Sequence, residues 1–320
     1  MSDEIKNLLQ GARTAQGATV FTDAAGDVRH VMPASTARYS ALDLAGKVSP
    51  SLAGLFDADG RLRSTPKGRP AVVDFALSAL DIALAHSRCA AAGTLLFVRE
   101  EPLPPRRIGT GPEIPVLARE VSGLTVVRPL TMAVVADGAN ATVATALPLA
   151  SASVDWSVQS SAPSFGAALE IARDNYRNRL HDGSLDELLQ ASILAGVGRI
   201  ADQALLAALS AASLGTFSLA SAAAAGRQFG ELRAIVGTAA AGAAIGADGV
   251  LRAAGIAAEL TDSASGTFVG SFGRAAVVLD REVRVVADRS SRDGALKLSV
   301  FAGAAALVPD AQRNFWRVAA

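Results

Sequence analysis

Phe268-Val-Gly-Ser-Phe272, Val277-Val-Leu-Asp-Arg281 and Glu282-Val-Arg-Val-Val-Ala287 follow one another near the end of a 320-residue chain. They are short runs rich in Val and Phe, punctuated by Gly, Ser and Asp-Arg, which is the pattern of strands joined by tight turns. Residues 267–269, 275–279, 282–287 and 296–301 are each of strand length, and Asp293-Gly294 supplies another turn. The chain therefore closes in β structure.

Upstream of these strands the period changes. Ser184-Leu-Asp-Glu187 is a capping box, and Leu185, Leu188, Leu189, Ile193, Val197, Ile200, Ala204 and Leu205 keep a helical spacing, which predicts one long helix. Ser164 is positioned to cap another, with Phe165, Leu169, Ala172 and Tyr176 on its apolar face. Between 121 and 158 lie runs of Val, Thr and Leu broken by Asp137-Gly138 and Pro148, the signature of a long hairpin. Earlier, residues 71–92 read as a helix stopped by Gly93 and residues 95–98 as a strand. Pro102, Pro104, Pro105, Pro112 and Pro115 then force an extended connection. Residues 1–70 are so rich in turn signals that they read as an arm with short elements, and after 226 a helix near 229–236 and short strands near 251–260 are expected. No repeat of 20 to 50 residues occurs, which excludes solenoids and propellers.

Half of the residues are hydrophobic, enough for a full core, and 30 Lys+Arg balance 30 Asp+Glu. That balance gives no global attraction to nucleic acid or acidic membranes. Lysine is confined to Lys6, Lys47, Lys67 and Lys297, and arginine supplies the other basic residues. Cys89 is alone and can form no intrachain disulfide, so it reads as a small buried hydrophobe. The opening Met1-Ser-Asp-Glu-Ile-Lys6 lacks the basic and apolar pattern of a secretory signal. Residues 204–226 are uncharged and long enough to span a bilayer, but they are mostly Ala, Ser and Gly, which gain little from lipid, so no membrane span is expected.

The templates of catalysis fail one after another. His30, His86 and His181 are scattered without ligand spacing. Gly270-Ser-Phe-Gly273 is one residue short of a nucleophile elbow and lies between strands. Neither the glycine-rich 237–249 nor Gly109-Thr-Gly111 matches a phosphate-binding loop, and Asp186 with Glu187, or Asp280 with Glu282, reads as solvated charge. No catalytic, cofactor-binding or metal-binding residue is assigned, and no cofactor is expected.

Taken in order, arm, long hairpin, long helix, mixed centre and closing strands resemble the major capsid proteins of tailed bacteriophages of the Hong Kong 97 type. Phe268-Val-Gly-Ser-Phe272 looks like that family's Val-Gly-x-Phe strand, and Val277-Val-Leu-Asp-Arg281 like the apolar strand ending near Asp-Arg. The outward strand 282–287, the charged turn 288–293 and the return 296–308 before Pro309 are similar to its closing ribbon. The helix 185–209, with acidic Asp202 before its last Leu-Leu pair, looks like its spine helix, and Gly255 like the turn before its closing strands. The likeness covers 184–318, extends more loosely over 120–183, and leaves 1–105 unmatched; that segment lacks the charged helical pattern of a cleavable scaffolding region.

The resemblance implies an α+β fold with an N-terminal arm and unassigned segment at 1–119 and an extended hairpin, the E-loop, at 120–163. A peripheral domain with the spine helix at 164–210 and 256–320, and an axial domain at 211–255, complete it. It implies a structural protein and not an enzyme: a self-assembling subunit forming pentamers and hexamers of an icosahedral phage head. Such a shell would be built in the host bacterial cytoplasm, enclose double-stranded DNA without reading its sequence, and become part of the virion. Portal, scaffolding function and a cement or decoration protein are the other implied partners. An encapsulin-like compartment shares the fold, and a small-molecule α/β enzyme is the rival from another class. Three expectations follow: the hairpin reaches a neighbouring subunit, Phe315 and Trp316 pack against the closing sheet, and no lysine is available on the hairpin for the isopeptide weld that some relatives form, since arginine cannot act as the amine nucleophile.

Overall fold

The computed structural model describes residues 5, 7–9, 19–22, 28–31, 38–53, 55–62, 77–99, 121–130, 132–137, 140, 146–156, 164–175, 185–289 and 295–319. In chain order, β1 (Thr19–Thr22) and β2 (Val28–Val31) form a separate antiparallel ribbon, and β3 (Arg38–Asp43) enters a large sheet. A helical layer follows, α1 (Pro50–Ala53), α2 (Ala79–His86) and α3 (Arg88–Ala91), and then β4 (Leu95–Val98). β5 (Val121–Val127) and β6 (Leu149–Asp155) are the two sides of the long hairpin. β7 (Ser164–Ile171) rejoins the large sheet, and α4 (Leu185–Ala211) and α5 (Leu219–Ala224) precede the strands β8 (Arg233–Val236), β9 (Ala243–Ile245), β10 (Leu251–Ala253), β11 (Ile256–Leu260) and β12 (Phe268–Gly270). The chain ends with β13 (Ala276–Leu279), β14 (Glu282–Arg289), β15 (Leu296–Leu307), α6 (Ala311–Asn314) and β16 (Phe315–Arg317). The fold is α+β.

β15 organises the large sheet, ordered β3-β14-β15-β13-β4. Its first half lies between β14 and β7, and Ala304 to Leu307 pair with β13, which in turn pairs in parallel with β4. Against this sheet lies α4, burying Leu194, Val197, Ala201, Leu205 and Leu209 at helical spacing. Its length and hydropathy equal those of a membrane span, yet half of the most apolar window is buried inside this core.

The other side of α4 meets the helical layer at very close range. A Cβ added at Gly198 would lie 2.3 Å from the carbonyl oxygen of Ala83, so the two backbones cross with nothing between them. One turn on, the buried Asp202 carboxylate accepts from Ser87 Oγ at 2.6 Å and from the backbone N–H groups of Arg88 and Cys89 at 2.9 Å each. The two N–H groups are orphan donors at the start of α3, which a carboxylate from a distant helix satisfies, with favourable charge for a helix N-terminus. Ser87 Oγ also caps α3 itself, accepting from Ala90 N at 3.0 Å.

The second sheet runs β16-β12-β8-β11-β10-β9 and carries its own small core of Ala222, Leu232, Val236, Ile256, Val269 and Trp316. Trp316 meets Phe217 edge-on at 6.1 Å, and Phe315 meets Phe272 edge-on at 5.3 Å, so the final aromatics tie the chain end into both cores. Gly270 makes this possible, because a Cβ there would lie 2.3 Å from Phe315 Cδ1.

Several expectations from the sequence are corrected. Residues 164–171 form β7, not a capped helix: Phe165, Ala167, Leu169 and Ile171 also alternate with a period of two, and eight backbone pairs with β15 decide between the patterns. Near 229–236 there is a short 3₁₀ turn, Phe229–Glu231, and then β8, whose Ile235 and Val236 are buried between β11 and β12. Residues 38–62 do not form an arm, since Leu42, Leu44, Leu52, Leu55 and Phe56 belong to the main core, as do Ile5, Leu8 and Leu9. Position 255 lies inside the β10–β11 hairpin, where Gly255 at φ +82° makes the turn, and β12 and β16 complete the second sheet. The strand at 95–98, the helix stop at Gly93 (φ +106°), the hairpin and the long helix stand where expected. Ser184 of the capping box, Tyr176, the proline-rich 101–120 and the turn 290–294 lie outside the described residues.

Two outcomes follow. Asp202→Ala strands two buried donors and the part-buried Arg88 N–H and should cost about 3 kcal/mol or more in urea unfolding, with Asp202→Asn costing less because one acceptor remains; a loss under about 0.5 kcal/mol would contradict this role. Ending the chain at Pro309 removes the fully buried Phe315 and nearly buried Trp316. A lowered thermal midpoint is expected, and an unchanged one would show that the tail does not contribute.

Candidate assembly surface

Among the described residues, the most exposed large apolar side chains, Met132 and Val134, lie on the hairpin. β5 and β6 pair through seven residue pairs from Val121↔Asp155 to Val127↔Leu149, with Thr125 Oγ1 and Ser151 Oγ 2.9 Å apart across the strands. Along both strands exposed and half-buried residues alternate, and only Val154 is buried. A two-stranded ribbon has one face too few to make a core and is marginal alone.

Its root is well fixed. Val154 packs with Ala276, Val278, Ala305 and Leu307 of the large sheet, and Leu124, Ala152 and Trp156 lean on the same cluster. Trp156 Nε1 donates to Ser122 Oγ at 3.1 Å, and the Arg99 guanidinium stacks over the Trp156 ring at 5.3 Å while pairing with Asp280 at 3.6 Å. The root extends along β5 to the residue after it, where Arg128 Nη2 pairs with Asp310 Oδ2 at 2.8 Å.

Beyond the root the chain offers bare apolar side chains. Met132 and Val134 are 85% and 102% exposed, and Val127, Leu130 and Leu147 are also exposed. Scattered exposed hydrophobics are ordinary, but several of them together beyond a paired root make a candidate interaction surface.

A second apolar surface is an open groove of about 390 Å³ between β7 and α4, floored by Phe165, Leu169, Ile193 and Ile200. The residues weighed for chemistry are not gathered there. His86, on the last turn of α2, meets Phe56 edge-on at 6.5 Å, and burial, then the charge of Arg88, lower its pKa. Burial, with Asp202 adding to it, pushes the Cys89 thiol well up, so it is a poor nucleophile. Ser271 is buried in a tight turn, its Oγ 3.5 Å from Glu231. Asp280 faces Arg99, and Asp186 and Glu187 sit in the first turn of α4, where the helix dipole favours acids. The side chain of His30, His181 and Gly109 to Gly111 lie outside the described residues. Among the described residues no group of three or more His, Cys, Asp or Glu is placed to hold a metal. What sequence reading missed is the cluster of Arg227, Glu231, Arg233 and Arg274 beside the hairpin root, because Arg227 and Arg274 come together only in the fold.

No family model and no curated protein matches the sequence. Solved structures do resemble the fold. The capsid of an empty GTA particle is 12% identical with a TM-score of 0.43, over 80% of this chain and 96% of that one. The virus-like particle from Pyrococcus furiosus is 8% identical with a TM-score of 0.42, over 75% and 96%. The satellite phage P4 procapsid with its size determination (Sid) protein gives 9% and 0.41, again over 75% and 96%.

If the ribbon is an assembly surface, Met132→Asp with Val134→Asp should leave the unfolding midpoint of the isolated chain unchanged, because both side chains are already in solvent. The same pair should abolish high-order assembly in sedimentation. Wild-type assembly by the double variant would exclude this surface.

Proposed function

We propose that the chain is the major capsid protein of a tailed double-stranded DNA phage, self-assembling as pentamers and hexamers of an icosahedral head. The observation that carries this reading is the hairpin, rooted by Trp156 and Arg128 and apolar beyond its root. A shell subunit must cover large areas of its neighbours, and a rigid body with a projecting apolar ribbon meets that need without any catalytic cleft.

In this reading 120–163 is the E-loop. α4 and the large sheet form the peripheral domain, drawn from 164–210 and the closing strands, and the second sheet around 211–255 is the axial domain. The unassigned 1–119 contributes β3 and the helical layer to the peripheral core. DNA is held by confinement and counterions, in keeping with 30 basic and 30 acidic residues. Portal and scaffolding functions act during assembly in the host cytoplasm. A cement protein at subunit junctions supplies strength, since the chain has no lysine between Lys67 and Lys297 and Lys297 lies in β15, in register with Asp288 and Glu170.

The test is negative-stain microscopy of the expressed chain, followed by boiling the particles in SDS with reductant. Hollow shells of uniform diameter and one band near 32.5 kDa are expected. Only monomers or dimers would overturn the shell reading, protein cargo in place of DNA in native particles would make the shell an encapsulin-like compartment, and a covalent ladder would overturn the non-covalent one.

A further inference from the structure

Beside the hairpin root, β8, the turn Phe229–Glu231 and the turn Phe272–Arg274 bound an open cleft of about 570 Å³. Its wall carries Arg233, Arg274, Ser271 and Glu231. One contact behind Glu231 is Arg227, whose side chain is only 2% exposed. Arg227 Nε and Nη2 both donate to the Ala225 carbonyl at 3.2 Å, but Nη1 is buried without a hydrogen-bond partner, 3.8 Å from Glu231 Oε2. Arg274 Nη2 approaches the same oxygen at 3.5 Å, and Ser271 Oγ also at 3.5 Å. A charge-assisted contact of this kind is ordinarily about 2.7–2.9 Å. One carboxylate oxygen is therefore shared among three donors and closes properly on none.

The charge is just as uneven. Arg313 joins the cluster through Nε to the Ala225 carbonyl at 3.3 Å, and Arg233 folds Nη1 back onto the carbonyls of Gly230 and Leu232 at 3.2 and 2.8 Å. Asp310, the other nearby acid, is already taken by Arg128 at 2.8 Å. Two guanidinium groups, of Arg227 and Arg274, thus share Glu231, and those of Arg233 and Arg313 stand nearby on backbone carbonyls alone, in a chain whose charges otherwise balance. Burial, then the charge of Arg274, lower the pKa of Arg227. Arg274 Nε and Nη1, and Arg233 Nε and Nη2, have no further partner among the described residues.

We propose that this cleft binds a phosphate group, gripped by the free donors of Arg274 and Arg233 beside Glu231. The arginines left without a carboxylate suit an anion with several acceptor oxygens: a free phosphate brings close to two negative charges, and a backbone phosphodiester brings one charge on two free oxygens. The group comes either from a free phosphate or from a nucleic-acid backbone. The site does not depend on the shell reading.

The experiment is calorimetric titration of the purified full-length chain at fixed ionic strength with inorganic phosphate, with pyrophosphate and with a short DNA duplex. Saturable binding of phosphate is expected, weakened roughly tenfold or more by Arg274→Ala and by Arg233→Gln and less by Arg274→Lys. Arg233 is exposed, so its variant carries the test even if Arg274→Ala melts early. Binding of the duplex that falls in the same variants assigns the backbone as the source, and phosphate binding without it assigns a free anion. Heats no larger than those with chloride, or variants that titrate like the parent, overturn the proposal.

Discussion

The fold depends on one buried carboxylate. Asp202, in the middle of the long helix, accepts three hydrogen bonds from the start of α3, one turn from the point where Gly198 lets α4 touch α2. A buried acid is tolerable only when its oxygens are satisfied, and here two of the accepted bonds also remove orphan N–H donors from the other helix. The contact joins residues more than a hundred positions apart, so it fixes the angle and the register of the helical layer on α4. Since α4 also lies on β15 and β13, that single lock sets the helical layer relative to the large sheet.

From that body the other parts are hung in different ways. The second sheet is bound by shared strands: β12 and β16 lie in it, yet Phe268 and Phe315 face the main core. The two sheets therefore have little freedom to shift independently. The hairpin is held at its root, by Trp156, Val154 and Arg128, and beyond it the described Met132 and Val134 are bare. Rigidity at the root with bare apolar surface beyond it is what a ribbon needs if its partner is another molecule, because little ordering entropy is left to be lost at the root on binding.

The sequence was legible where one pattern admitted one structure. The closing strands, the hairpin and the long helix have unambiguous periods, Gly93 takes the left-handed backbone of a helix stop, and Gly255 makes the turn that the resemblance implied. It misled where two periods coexisted, as in Phe165 to Ile171, whose apolar residues suit a helix or a strand until β15 offers its edge. It was silent where meaning lies in distant contacts. Nothing local distinguishes Leu42 to Phe56 as core from an arm, and nothing in Ala222 to Arg274 announces that two arginines will meet at Glu231. Asp202 was visible as an odd acid in an apolar helix, but its partners were not.

The preference for arginine over lysine then has a structural use besides any bias of composition. Arg281 grips Asp43 with two contacts at 3.1 Å, tying β3 to the turn between β13 and β14 and holding the Asp43 carboxyl below its usual range. Arg252 forks onto Asp248 across the β9–β10 turn, and Arg199 joins α4 to Asp262 after β11. Each pair spans a junction between elements. Such exposed ion pairs contribute little to stability, so their value is geometric: a planar fork fixes direction where an ammonium fixes only distance. The Asp43 tie is full strength at neutral pH and fades as pH falls through that lowered range, because a carboxylate with a depressed folded pKa loses its contribution only on protonation. A chain that replaces lysines with such forks gives up amine chemistry and gains joints of defined angle.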